Sequence, residues 1–98
     1  MKFELPLEKT NLLSIMRKAG YAPRIQTVPE EEEYSRTLSG STYPRFHVYA
    51  KVFLDKQKAY LNLHLDQKAP SYQGTAAHGG EYEGDLLEVE VQRIRRFL

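Results

Sequence analysis

Apolar and polar residues alternate from Phe46 to Leu54 and again from Tyr60 to Asp66. A two-residue period is the mark of a β-strand buried on one face. It predicts two strands, at about 45–54 and 59–66, joined as a hairpin. Taking Lys56-Gln57 as the loop places Val52 opposite Leu61, Ala50 opposite Leu63 and Val48 opposite Leu65, all on one apolar face. The other face then pairs Phe53 with Tyr60, Lys51 with Asn62, Tyr49 with His64 and His47 with Asp66. A slip of one residue would mix the two classes, so the pattern itself supports this alternation. Lys56-Gln57 is a poor two-residue turn, and a longer loop preserves the same inward set.

Three further elements flank the hairpin. Leu12, Ile15, Met16 and Ala19 recur at helical spacing, with Leu13 widening the stripe, and predict a helix over about 7–19. Pro6 suits its start and Gly20 its C-terminal cap, while Arg17 and Lys18 favour the negative end of the helix dipole. A short strand follows at about 34–38, closed by Ser39-Gly40-Ser41-Thr42. Before it, the run Glu30–Glu33 reads as a solvated loop or strand edge, with a metal or basic-partner site as the sharper alternative. Residues 67–84 carry Pro70, Gly74, Gly79, Gly80 and Gly84 and predict a long loop. Loops beyond about 12–15 residues are uncommon unless functional or disordered. In the tail, Leu87, Val89 and Val91 alternate like a strand, but Leu87, Val91, Ile94 and Leu98 form a helical stripe. Acidic residues come first there and arginines last, which suits a helix dipole and decides for a helix over about 85–98.

The expectation is therefore a single α+β domain over residues 1–98: helix, three-stranded antiparallel sheet, helix, with both helices on one sheet face. The chain has 98 residues, enough for one modest core. With 14 Lys+Arg against 13 Asp+Glu, it lacks the basic excess of a typical nucleic-acid binder. The start, Met1 to Thr10, has no signal-peptide core, and no apolar run reaches membrane-spanning length. The absence of cysteine removes disulfides, thiolate metal sites and thiol nucleophiles. The chain reads as a soluble cytoplasmic protein. No GxGxxG, P-loop, HExxH or GxSxG motif is present, so nucleotide-dependent enzymes of the familiar kinds are not expected.

Two helices on one face leave the other open, with His47, Tyr49, Lys51, Phe53, Tyr60, Asn62, His64 and Asp66 on it. Opposed strand residues have Cβ atoms about 4.5–5.5 Å apart. His47, His64 and Asp66 are thus neighbours, and His78 lies on the loop leaving the same strand. Imidazole and carboxylate together suit a divalent transition metal such as Zn, Ni, Fe or Mn. The candidate metal ligands are His47, His64, Asp66 and His78, with Glu81 as a possible addition. The candidate binding residues are Tyr49, Lys51, Phe53, Tyr60, Asn62 and Glu81. A three-ligand metal with an open position would activate water, giving a metal-dependent hydrolase as the alternative function. Without a metal, Asp66 could orient His47 as a general base. The plainest reading is solvated polar alternation.

The rings on this face also suit a protein partner or a second copy of the chain, or single-stranded nucleic acid by base stacking. Within the monomer, Tyr72 and Tyr82 of the long loop are an alternative cover. The leading expectation is a small binding or interaction protein, self-associating or partnered through the open face, with no membrane role.

The helix–strand–strand–strand–helix order resembles the double-stranded-RNA-binding domain, with Leu12 to Gln26 and Pro44 to Val48 in the places of its first helix and second strand. That family carries a lysine-rich start to its last helix. Here that start is the acidic stretch Glu81 to Asp85, so the family's RNA-binding residues do not carry over. The segments His64 to Tyr72 and Ala77 to Gly84 resemble a motif of small uncharacterised bacterial proteins. That resemblance implies a bacterial cytosolic protein and no particular activity.

Overall fold

The computed structural model describes residues 1–67 and 80–98, with side chains in the second stretch from residue 84. The elements are β1 (Lys2–Pro6), α1 (Leu12–Lys18), β2 (Ala22–Arg24), β3 (Glu32–Thr37), β4 (Arg45–Phe53), β5 (Lys58–Asp66) and α2 (Gly80–Arg95). The strands form one antiparallel sheet in the order β1-β5-β4-β3-β2. The chain starts at one edge and passes through α1 to the far edge. It then returns strand by strand until β5 pairs with β1.

The α+β class and the helical tail are as expected; the count of strands is corrected from three to five. Lys2 to Pro6 has a strict exposed–buried alternation, with Phe3 and Leu5 inward. This is the same signal that marked the hairpin. β2 gave no such signal, since Ala22, Pro23 and Arg24 are all exposed. Pro23 can sit there because β2 is an edge strand. The helix expected over 7–19 begins only at Leu12. Asn11 caps it, its side-chain Oδ1 accepting from the Ser14 N–H at 2.8 Å. β3 starts two residues before the expected 34, and α2 starts at Gly80 rather than 85. Residues 68–79, most of the expected 67–84 loop, lie outside the described residues.

The hairpin register is also corrected. Val52 faces Ala59, Ala50 faces Leu61, Val48 faces Leu63 and Phe46 faces Leu65, a shift of two residues from the expected pairing. The loop has four residues: a short 3-10 turn over Leu54–Lys56, then Gln57 in the left-handed conformation at φ 51°. A shift of two preserves parity, so every side chain stays on its expected face.

Both helices pack on the apolar face. Leu12, Ile15 and Met16 of α1 and Val91 and Ile94 of α2 share one buried cluster with Phe3, Leu5, Phe46, Val48, Leu61 and Leu63. Gly20 stops α1 as expected. It adopts φ 91°; its N–H donates to Arg17 O at 3.0 Å, and the Tyr21 N–H donates to Met16 O at 2.8 Å. These two bonds are the Schellman closure.

A buried polar cluster then ties α2 to the rest. Glu90 is 3% exposed, yet it accepts from Tyr21 Oη at 2.6 Å, from Arg36 Nη2 at 3.2 Å and from Arg93 Nε at 2.8 Å. Arg93 also donates to Ala19 O, at the end of α1. Burial pushes the Glu90 carboxyl up, but hydrogen bonds from Arg93, Tyr21 and Arg36 outweigh it and hold the carboxyl below its ordinary range.

Two stability effects follow. Gly20→Ala puts a side chain on a left-handed residue, with its Cβ 3.2 Å from Arg36 Cδ. Thermal or urea unfolding should show a loss of about 1–2 kcal/mol. Glu90 binds its proton less readily folded than unfolded. Its contribution is therefore complete above the unfolded carboxyl value of about 4.3 and is lost as pH falls through the lower folded value. Unfolding midpoints measured from pH 7 to 3 should fall on the acid side, and Glu90→Gln should flatten that fall while costing about 1–3 kcal/mol at pH 7.

Candidate functional site

The parity that buries Val48 and Leu63 turns His47, Tyr49, Lys51, Tyr60, Asn62 and His64 to the opposite face, away from the buried cluster that both helices share. Across β4 and β5, His47 faces His64, Tyr49 faces Asn62 and Lys51 faces Tyr60. Asp66 faces Arg45, and the expected direct pairing of His47 with Asp66 gives way to a diagonal one. The two are still neighbours, with His47 Nδ1 3.5 Å from Asp66 Oδ2. Asp66 Oδ2 also accepts from Arg45 Nε at 3.3 Å.

The other ring nitrogen of His47 faces a residue that the sequence pattern had placed in solvent. Nε2 lies 3.2 Å from Glu33 Oε1. Glu33 stands opposite Tyr49 on β3 and is 4% exposed. Its second oxygen, Oε2, accepts from both the N–H and the hydroxyl of Thr27, each at 2.5 Å. These two bonds from Thr27, hydroxyl first, hold the Glu33 carboxyl below its ordinary range against the upward push of burial, and His47 adds to them. Glu33 therefore ties the segment between β2 and β3 down onto the open face. The signal was present in the sequence. Tyr34 is inward, so parity alone turns Glu33 outward, beside Tyr49; an expected strand beginning at Tyr34 stopped one residue short of it.

With that segment folded over, the open face becomes a groove of about 690 Å³. Its floor is Tyr49, Lys51, Tyr60, Asn62 and His64; Val28 and Glu31 stand on one side and Lys2 and Glu4 on the other. The rings are packed against one another. Tyr49 stacks on His47 with centroids 4.4 Å apart and meets His64 edge-on at 5.7 Å. Phe53 is not part of the lining, but it meets Tyr60 edge-on at 5.3 Å. Burial raises the Tyr49 hydroxyl, as do the carboxylates of Glu33, Asp66 and Glu31. His64 is shifted the other way: burial, and then the nearby N-terminal ammonium, push it below the ordinary histidine value.

Of the expected ligand set, His47, His64 and Asp66 are brought to one region of the open face. His78 lies outside the described residues, as does the side chain of Glu81. Among the described residues, no group of three or more His, Asp or Glu is gathered so as to hold a metal ion. Both nitrogens of His47 already face carboxylates. Comparisons with models of protein families, with curated proteins and with solved structures return no match.

Truncating the carboxylate that anchors the groove wall should be measurable. Glu33→Ala leaves the Thr27 donors and one His47 nitrogen without their partner, at a cost of about 1–3 kcal/mol. Amide hydrogen exchange at Thr27 should accelerate markedly, while exchange at the inward positions Val48 and Leu63 follows only the global loss of stability.

Proposed function

We propose that this is a small binding protein that takes a small polar ligand in the groove on its open sheet face. The observation that carries the reading is the groove itself. Two outward positions of β4 and three of β5, on fully paired strands and walled by a loop that a buried carboxylate holds in place, form a concavity at the centre of the sheet. Ligand sites are typically concave, largely preformed and lined by aromatic groups with a few polar ones. The metal-dependent hydrolase alternative would draw on His47, His64 and Asp66. Binding is favoured over it because His47 Nε2 is engaged by Glu33 and Nδ1 faces Asp66.

The test is a titration of the isotope-labelled protein with a fragment set of small aromatic, sugar and amino-acid compounds, followed by amide NMR. Shifts are expected to concentrate at Tyr49, Lys51, Tyr60, Asn62 and His64. Tyr60→Ala, at a position 38% exposed, should weaken the best fragment about tenfold or more, the loss typical of an anchoring aromatic. A fragment set that leaves all five positions unmoved rejects the reading.

A further inference from the structure

We propose that β1 is a docking edge for a second copy of this chain. Two β1 strands pair antiparallel about a twofold axis at Phe3 and join two five-stranded sheets into one. The inference concerns a surface other than the floor of the groove and does not depend on the groove's ligand.

Backbone parity is the first argument. Among the described residues β1 has β5 on one side and no strand on the other. In an antiparallel ladder, facing residues alternate between pairs that exchange both backbone hydrogen bonds and pairs that exchange none. Met1 and Leu63 exchange both: Met1 N donates to Leu63 O, and Leu63 N donates to Met1 O, each at 2.8 Å. At the far end, Leu7 N donates to Gln57 O at 2.8 Å. In this register the intervening bonded pairs are Phe3 with Leu61 and Leu5 with Ala59. The N–H and C=O groups of Lys2 and Glu4 therefore point away from β5. Pro6 belongs to the same outward set, so its missing N–H removes no bond to β5. Among the described residues, no backbone group bonds Lys2 or Glu4 on that side.

Self-complementarity is the second. With the axis at Phe3, Lys2 faces Glu4 of the second copy, and Glu4 faces its Lys2. The outward N–H groups of both chains then all donate to outward carbonyls, and each facing pair of side chains is of opposite charge, which stabilises cross-strand pairs. With the axis at Glu4, two carboxylates meet, and Lys2 faces Pro6, which has no N–H to give. With the axis at Lys2, two ammonium groups meet. One register is thus singled out. The other edge, β2, is three residues long and includes Pro23, so it offers a shorter ladder.

Charge is the third. Charged residues and proline commonly keep edge strands apart. That protection works where like charges meet, and in the register at Phe3 each charge meets its opposite, with Pro6 outside the bonded set. Among the described residues, Lys2 has no ion-pair partner in its own chain. Glu4 is 54% exposed and turns Oε1 towards Lys58 at 3.8 Å, which leaves Oε2 for a second cation.

The axis runs perpendicular to the sheet. Both helical layers then lie on one side and both grooves on the other, with Lys2 and Glu4 between the grooves. On the helical side Phe3 meets its own copy, and the Arg95 guanidinium 5.8 Å from each ring comes with it. A ladder of Met1 to Leu5 that also gathers two like charges is weaker than the contacts of stable dimers, which bury about 1,200–2,000 Å². The dimer is therefore expected to dissociate on dilution.

The experiment uses the full chain, with sedimentation equilibrium and NMR between about 20 μM and 2 mM, a range that covers transient pairs. The mean mass is expected to rise towards that of two chains. Amide exchange at Lys2 and Glu4 should slow as concentration rises, while exchange at Phe3 and Leu5, already bonded to β5, should not change. A sample mixing labelled and unlabelled chains should show an intermolecular contact between the Hα atoms of the two Phe3 residues. Glu4→Lys alone and Lys2→Glu alone each place like charges opposite one another and should weaken association about tenfold or more. An equal mixture of the two variants restores opposite charge at every facing pair and should associate at least as well as the unaltered chain. A monomer throughout the range overturns the proposal. So does a dimer that both single variants leave unchanged, or one without the Phe3 contact. None of these outcomes bears on the fragment titration of the groove.

Discussion

β4 and β5 are each nine residues long and are paired with each other along their whole length. Because side chains alternate strictly along a strand, that pairing assigns each of the eighteen residues to one face. The inward set is almost wholly apolar and the outward set almost wholly polar or aromatic. The helices have only one surface on which to bury Leu12, Ile15, Met16, Val91 and Ile94. The open face and its groove exist because the opposite face is taken. A slip of one residue would exchange the two surfaces and abolish both the core and the site.

Two buried carboxylates complete what the alternation begins, one on each side of the sheet. On the covered side, Glu90 gathers Tyr21, Arg36 and Arg93, and so joins the end of α1, strand β3 and helix α2 at one point. On the open side, Glu33 joins Thr27 to His47, and so joins a loop to the centre of the sheet. Each is a charge removed from water and repaid by several hydrogen bonds. Nonpolar packing could hold the same elements together, but a set of directed bonds from different segments also sets where they stop. That is how a loop becomes a groove wall.

The alternation in the hairpin, the helical stripe from Leu12 to Ala19, the stop at Gly20 and the helical tail were all legible, because each is a repeated local pattern with a physical cause. β1 was equally legible in Lys2 to Pro6, but five residues near a terminus are a short sample of any period. β2 was not legible. It is exposed throughout, and its strand conformation comes from its neighbour β3 rather than from its own residues. The turn at Leu54–Gln57 escaped for a different reason. Its four residues carry no glycine, and Gln57 takes the left-handed conformation without the usual chemical sign.

At the site, the sequence by itself determined which side chains share the open face: parity survives a two-residue change of register, so His47, Tyr49, Lys51, Tyr60, Asn62, His64 and Asp66 stayed together. Only the tertiary structure decided what those residues face. Strand partners are chosen by loop geometry and by segments remote in the chain. His47 therefore looks to Glu33, fourteen residues earlier, as well as to Asp66. The tertiary structure also decided that a run of glutamates would be divided, with Glu31 at the groove wall and Glu33 buried beneath Thr27. Periodicity reports the direction of a side chain relative to its own strand. Contact depends on where the other strands and loops lie, and that is settled only when the whole sheet closes.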